Sequence, residues 1–351
     1  MKIVLTGGGT GGHIIPNLSL LPYLKKHFDK IYYIGTNGIE KEILQDYKEI
    51  EFHEIPAYKV NRKNFLSNLK LPFLLLNSVI KTNKILKEIS PDIVFSKGGY
   101  VSVPVCLSAF FKKIPIISHE SDLTLGKANK LIYKLSTAFC TTFEKTSEGL
   151  SKAIYTGSPI RQQLLLGDKE KGKSITKLTS PLPYLLVTGG STGAVAINQA
   201  IYEILPQLTK KFNVIHLVGK GKGKKINYPN YCQMEFCNQI EHLFALSDIV
   251  VSRAGSNAIY ELLYLNKPML LIPLPKGTSR GDQVENAKYF EQKKYAKVLY
   301  QENLTPKTLL NSIEQLYKEK EKQHTLGFNQ NGAKKIVEVI YAVTTKQKTF
   351  K

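Results

Sequence analysis

A short apolar strand that runs into a glycine turn and then a helix occurs twice in this chain, and that repetition restricts the fold more than any other feature. Val4-Leu5-Thr6 leads into Gly7-Gly8-Gly9-Thr10-Gly11-Gly12-His13, and Tyr184 to Thr188 leads into Gly189-Gly190-Ser191-Thr192-Gly193-Ala194. Such a unit presents backbone amides at the carboxyl end of a strand, the edge where open parallel sheets receive ligands. Two copies imply two Rossmann-like halves. The length agrees, because 351 residues exceed one ordinary core and 42% hydrophobic residues can fill two.

Gly7, Gly9 and Gly12 satisfy G-x-G-x-x-G, but the next strand, Ile31 to Ile34, runs into Gly35-Thr36 rather than into the acidic residue that a dinucleotide ribose requires. A P-loop would need Lys in the turn, and none is present. What remains is a turn that lets a phosphate or pyrophosphate approach the backbone, with a helix expected to start near Pro16. His13 beside it reads either as a structural histidine or as a base.

Two further strand ends carry polar motifs. Asp92 to Phe95 leads into Ser96-Lys97-Gly98-Gly99-Tyr100, and Ile114 to Ser118 delivers His119-Glu120-Ser121-Asp122. The latter is no zinc helix, since H-E-x-x-H requires His at Leu123. His119 and Glu120 read as a satisfied polar pair or as site residues. Ile249 to Val251 runs into Ser252-Arg253-Ala254-Gly255, with a helix opening at Ser256 or Asn257, and this turn forms a ready anion site. Arg253 adds a charge suited to phosphate. Glu261 can accept from a pair of sugar hydroxyls, and a strand over Lys267 to Pro273 ends in a loop with Gly281, Asp282 and Gln283. The plainer alternative is a βαβ unit whose Glu261 is simply solvated.

Lys and Arg total 49 against 28 Asp and Glu, and the resulting +21 predicts attraction to nucleic acid, anionic lipid or phosphorylated substrates. Between Lys59 and Lys87, Phe65, Leu66, Leu69, Leu71, Phe73, Leu74, Leu75 and Leu76 are set among seven cations, with no acid before Glu88. Phe110-Phe111-Lys112-Lys113 repeats that composition. Each stretch reads as a core-packing helix with a basic rim, or as a patch entering the headgroup layer of a membrane. Cys106, Cys140, Cys232 and Cys237 have no C-x-x-C spacing, which points to reduced thiols in a cytosolic protein without a zinc site. The amino terminus lacks the apolar core of a signal peptide, and no apolar run approaches the ~18 residues of a membrane span. The expectation is a soluble protein, or one that lies on a membrane surface.

Thr156 to Arg161 resembles a hinge, which divides the chain into residues 1–158 and 159–331. Two helices, Pro306 to Gln323 and Gly332 to Ala342, are expected at the end, with 332–351 returning to the first domain.

Taken together, GGGTGGH at 7–13, SKGGYVSVP at 96–104, HES at 119–121, GSPIR at 157–161, GGSTGA at 189–194 and RAG…E…DQ…NA at 253–287 resemble the GT-B glycosyltransferases. Within these, the run is most similar to the N-acetylglucosaminyltransferases of peptidoglycan synthesis. The resemblance implies an α/β GT-B fold of two Rossmann-like parallel-sheet domains facing a central cleft. It implies inverting transfer of N-acetylglucosamine from UDP-GlcNAc to the muramoyl 4-hydroxyl of lipid I, giving lipid II, with no metal or other cofactor. The enzyme would be peripheral, on the cytoplasmic face of the cell membrane, and would bind no nucleic acid. His13 would be the base. Thr10, Gly11, Gly12, Gly98, Gly99, Tyr100 and Asp122 would meet the acceptor and its pyrophosphate, with His119 and Glu120 near the acceptor sugar. Arg161, Ser191, Thr192, Gly193, Ile240, Arg253 and Ser256 would line the donor site, with Glu261 on the ribose and Asp282 and Gln283 on the GlcNAc hydroxyls. Leu66, Phe73, Leu74, Leu75, Phe110, Phe111, Lys112 and Lys113 would face the membrane.

Two departures from the commoner HEQN and DRQQ patterns are Asp122 and Asp282, which replace amides and so cannot donate. No Asp has an Asp partner two residues on, so the Asp-x-Asp metal motif is absent. Alternatives are another GT-B enzyme, a UDP-GlcNAc 2-epimerase, or a basic nucleotide-binding protein without transferase activity.

Overall fold

The computed structural model describes residues 1–59, 69–190, 193–278, 280–320 and 331–349. They form two units, Met1–Arg161 with Asn331–Lys351, and Gln162–Gln330. Arg161, expected among the donor-side residues, thus closes the first unit.

The first unit holds a parallel sheet of seven strands in the order β3-β2-β1-β4-β5-β6-β7, where β1 is Lys2–Thr6, β2 Lys30–Gly35, β3 Ile50–Glu54, β4 Ile93–Ser96, β5 Ile116–Glu120, β6 Ala138–Thr141 and β7 Ala153–Tyr155. The chain moves outward from β1 to β3 and then returns to the other side of β1 with β4. That reversal opens a crevice beyond the carboxyl ends of β1 and β4, the usual ligand position in open α/β sheets. The register pairs Thr6 with Ser96, so the glycine turns after these two strands leave the sheet level with each other.

Strands covered on both faces are apolar on both, as these are. Ile3 and Leu5 pack with Ala333, Ile336, Val337 and Ile340, whereas Val4 and Val94 pack with Ile85, Leu86 and Val105. The carboxy-terminal helix, Gly332–Thr349, is therefore a layer of the first unit, and it runs past the expected end at Ala342. Asn331 fastens its start, accepting from the Ile160 amide at 3.0 Å and donating to the Ile160 carbonyl at 2.9 Å.

The second unit repeats the plan with six parallel strands in the order β10-β9-β8-β11-β12-β13. Here β8 is Tyr184–Thr188, β9 Asn213–Leu217, β10 Tyr231–Met234, β11 Ile249–Ser252, β12 Met269–Leu271 and β13 Lys297–Val298. The same reversal lies between β8 and β11, whose ends pair as Thr188 with Ser252. Leu185 and Val187 pack with Ile197, Ile201, Leu309 and Ile313.

Some boundaries differ from expectation. The helix after the first turn is Gly11–Leu18, with Pro16 inside it rather than at its start. Gly11 and Gly12 adopt helical backbone as readily as a turn, so the turn is shorter than its composition suggests. The helix expected over 306–323 is Pro306–Lys318, opened by a capping box in which Thr305 accepts from the Thr308 amide, and residues 321–330 lie outside the described set. Leu66, Ser191 and Thr192 also lie outside it.

Candidate active site

In the first unit the two glycine turns interlock. Gly99 has φ +84°, and a Cβ there would stand 2.8 Å from the Gly8 carbonyl oxygen and 3.3 Å from His13 Nε2. Only glycine permits both that backbone and that approach. The His13 ring thus lies against the second turn while its helix begins in the first. His13 Nδ1 is 3.2 Å from the Lys97 carbonyl. A carbonyl accepts only, so Nδ1 carries the proton and Nε2 carries the lone pair, the state a general base needs.

Buried polar groups hold the first turn from behind. Tyr33 Oη donates to the Gly7 carbonyl, and Asn17 Nδ2 donates to the Thr6 carbonyl and to Tyr33 Oη at 3.2 Å each. Glu40, 1% exposed, accepts from the Gly9 amide at 2.7 Å and from Thr36 Oγ at 3.1 Å. An acid does therefore follow β2, but it sits on the helix Ile39–Leu44 and grips the turn instead of waiting for a ribose.

His119 and Glu120 are buried and bonded to protein, so neither is exposed to an acceptor sugar. His119 Nδ1 lies 2.6 Å from Lys97 Nζ, and Nε2 lies 3.3 Å from both the Gly157 carbonyl and Thr142 Oγ. Burial first, and then the Lys97 charge, hold its pKa well below the usual histidine value. Glu120 accepts from the Asp122 amide at 3.1 Å, the Gly126 amide at 2.9 Å and Asn129 Nδ2 at 3.0 Å. Glu120 thereby shapes the loop that carries Asp122. Lys97, 1% exposed, also donates to Ser121 Oγ, and burial lowers its pKa to about 8 against the opposing pull of Glu120 and Asp122. Thr10 and Gly12 are exposed at the mouth of the turns, while Gly11, Tyr100 and Asp122 are partly exposed there.

In the second unit, Gly193 has φ +67°, and a Cβ there would stand 2.0 Å from the Val218 carbonyl, so the turn after β8 lies flat on the exit of β9. Lys222 Nζ donates to the Gly193 carbonyl at 3.4 Å. After β11, Arg253 is partly buried and donates through Nη1 to the Ile272 carbonyl at 3.0 Å, tying the ends of β11 and β12 together. Ser256 begins the helix Ser256–Tyr264, which carries the partly exposed Glu261. Gln283 Oε1 accepts from the Leu274 amide at 3.0 Å. Asp282, the first residue of the helix Asp282–Gln292, pairs with Arg280 at 3.7 Å. Asn286 Nδ2, on the same helix, reaches the Ala254 carbonyl at 3.4 Å and so joins the DQ…NA and RAG parts of the motif. Ile240 begins the helix Ile240–Leu246. Arg161 belongs to the first unit, where its charge is felt by Tyr47.

A family model for the N-terminal domain of glycosyltransferase family 28 matches residues 3–141, and one for its C-terminal domain matches residues 184–340. The chain belongs to glycosyltransferase family 28. A curated relative from Lachnospira eligens is 49% identical over 90% of this chain and 91% of its own length, and one from Bacillus anthracis is 42% identical over 98% and 99%. Both are named as UDP-N-acetylglucosamine–N-acetylmuramyl-(pentapeptide) pyrophosphoryl-undecaprenol N-acetylglucosamine transferases. Among solved structures, MurG of Acinetobacter baumannii superposes with a TM-score of 0.71 at 21% identity, covering 98% of this chain and 99% of that one. A UDP-GlcNAc 2-epimerase of Neisseria meningitidis gives 0.66 at 19%, covering 97% and 99%. These likenesses show the GT-B fold.

Within this family 28 chain, Glu40, Lys97, Asn129 and Asn286 were not singled out from sequence. Lys97 lies inside a glycine-turn motif whose spacing carries no sign that its side chain runs inward. Glu40 carried a signal, an acid shortly after β2, but sequence cannot say which way it faces. Among the described residues, no group of three or more His, Cys, Asp or Glu is arranged to hold a metal ion, and no helix is long and apolar enough to cross a membrane.

The apolar surface differs in detail from expectation. Leu74 and Leu75 are half-buried, because the helix Leu71–Ile89 turns that side inward. Among the large apolar residues described over 69–113, Leu69, Phe73, Leu76, Ile80, Phe110 and Phe111 are exposed, and Phe73, Leu76 and Ile80, spaced by three and four, form one stripe of that helix, with Leu69 just before it. Lys70, Lys81, Lys84, Lys112 and Lys113 are exposed beside them.

Proposed function

We propose that this chain transfers N-acetylglucosamine from UDP-GlcNAc to the muramoyl 4-hydroxyl of an undecaprenyl-pyrophosphoryl acceptor, with inversion and without a metal. The observation that carries the reading is the 49% identity, over 90% of this chain, to a relative named for that transfer, supported by the base geometry at His13. His13 Nε2 takes the proton of the 4-hydroxyl as that oxygen attacks C1 of the donor sugar. The C1–O bond to the diphosphate breaks, and UDP leaves carrying the negative charge. Amides of the turn after β8, the start of the helix at Ser256 and the guanidinium of Arg253 stabilise that charge. Ser191 and Arg161 are assigned to the same diphosphate, Thr192, Gly193 and Ile240 to the donor site, Glu261 to the ribose hydroxyls, and Gln283 with Asp282 to the sugar. Thr10, Gly11, Gly12, Gly98, Gly99, Tyr100 and Asp122 are assigned to the acceptor, whose pyrophosphate approaches the start of the helix Gly11–Leu18.

The exposed stripe and its lysines suit the surface of an anionic membrane, which is where a polyprenyl acceptor resides. On that support the enzyme is assigned to the cytoplasmic face of the membrane as a peripheral protein. Purified protein supplied with radiolabelled UDP-GlcNAc and lipid I, with and without EDTA, tests the reading. Label appearing in lipid II regardless of chelator supports it. Label converted to another free sugar nucleotide without acceptor would instead mark an epimerase.

A further inference from the structure

We propose that Lys97 is a positioning residue for the acceptor half of this reaction: its buried ammonium, anchored on His119 and Ser121, supports the joint between the two glycine turns and fixes the peptide that orients His13. The inference rests on the transferase reading given above.

Lys97 ties three parts of the first unit together. Its amide donates to the Thr6 carbonyl at 2.9 Å, at the end of β1. Its carbonyl faces His13 Nδ1 at 3.2 Å, and its side chain runs inward to His119 Nδ1 at 2.6 Å and to Ser121 Oγ. The residues that follow are Gly98 and Gly99, where the turns meet. Side-chain anchoring below therefore governs where the carbonyl and the second turn stand above.

Packing alone does not call for a cation here. A buried ammonium loses its hydration, and an unbranched apolar side chain of similar length would fill the space without that cost. The position has an electrostatic use instead. Glu40 places a buried carboxylate directly behind the first turn, on the Gly9 amide, and that charge opposes an arriving pyrophosphate. An ammonium beneath the second turn offsets it. The charged and titratable groups around Lys97 are His119 and Glu120 on β5, Asp122 beyond it, and Cys140 on β6, whose thiol burial pushes up to about 12 and so keeps neutral. His13 itself faces Lys97 and the Gly99 backbone, with Glu40 and Tyr100 across the first turn.

The test compares full-length wild type, Lys97→Met and Lys97→Arg in the transfer assay. For Lys97→Met the expected result is a rise of about tenfold in the acceptor KM and a fall of about tenfold in kcat, with the donor KM within about twofold. Lys97→Arg recovers part of kcat. A Lys97→Met enzyme that melts earlier yet keeps its acceptor KM and kcat overturns the proposal. Should that variant not fold, ¹⁵N-histidine NMR of the wild type decides. His119 should remain neutral below pH 6, with Nδ1 as the accepting nitrogen, and should respond to a second titration as Lys97 loses its proton. A His119 that titrates like a free imidazole overturns the anchoring. Absence of transfer by the wild type overturns the proposed function instead, and the NMR signals then judge the anchoring separately.

Discussion

Asn286 on the helix Asp282–Gln292 donates to the carbonyl of Ala254 in the turn that follows β11, so two helix N-termini of the second unit are fixed side by side. Asn286 is fully buried, so its replacement leaves that carbonyl without its amide partner. Asn286→Ala should cost about 1–3 kcal/mol of stability. It should also raise the KM for UDP-GlcNAc while leaving the acceptor KM in place. Thermal unfolding together with a donor titration checks both, and an unaltered donor KM in the folded variant would remove this link from the donor site.

His13 is assigned the proton transfer because its Nδ1 is bound to the Lys97 carbonyl and its Nε2 bears the lone pair. His13→Ala should lower kcat by about 10²–10⁴-fold, the usual range for loss of a general base. Binding of UDP-GlcNAc should not change, since every group assigned to the donor diphosphate other than Arg161 lies in the second unit. Single-turnover kinetics with calorimetric donor binding separates the two effects. Near-normal transfer by this variant would pass the base role to another group.

Two buried histidines set an acid limit on stability. His119 in the first unit and His216 in the second are both held neutral by burial, His216 with a pKa lowered to about 3. In the unfolded chain both take up protons near pH 6.5, so below that value the unfolded state binds more protons than the folded one. Stability is therefore complete above pH 6.5 and declines as pH falls, by about 1.4 kcal/mol per pH unit for each group until its folded pKa is reached. Calorimetry from pH 7.5 to 4.5 should show falling transition temperatures. His216→Asn should flatten the fall, and a slope independent of that replacement would show that His216 is not the group being titrated.

The fold was legible because its signals are local. Each glycine turn follows an apolar strand, and the reversal of strand order then brings the turns of β1 and β4, and of β8 and β11, next to each other. The polar layer beneath the turns was not legible. Whether Glu40 faces solvent or the Gly9 amide, and whether His119 meets a substrate or Lys97, depends on which side of a strand or helix packs inward. Motif spacing carries no such information. Helix ends were misjudged where residues tolerate either state, as at Gly11 and Gly12, or where helical composition continues past the last bond, as after Lys318.

The same limit applies to the apolar surface, and it sharpens the choice of mutations. Of the residues expected to face the membrane, Phe73, at 76% exposure, heads the stripe completed by Leu76 and Ile80, whereas Leu74 and Leu75 are half-buried. Exposed side chains contribute little to folding, so replacing Phe73, Leu76 and Ile80 together with Ser should leave the melting temperature nearly unchanged. Binding to vesicles that contain anionic lipid should drop, because each buried apolar side chain contributes roughly 1.5–3 kcal/mol to insertion. Leu74→Ser with Leu75→Ser should show the opposite pattern, with a lower melting temperature and nearly intact vesicle binding. Flotation on neutral and anionic vesicles at low and high salt reads both parts, since the lysine contribution is screened by salt and the apolar contribution is not. If the triple variant floats as well as wild type, the stripe is not the membrane-facing surface.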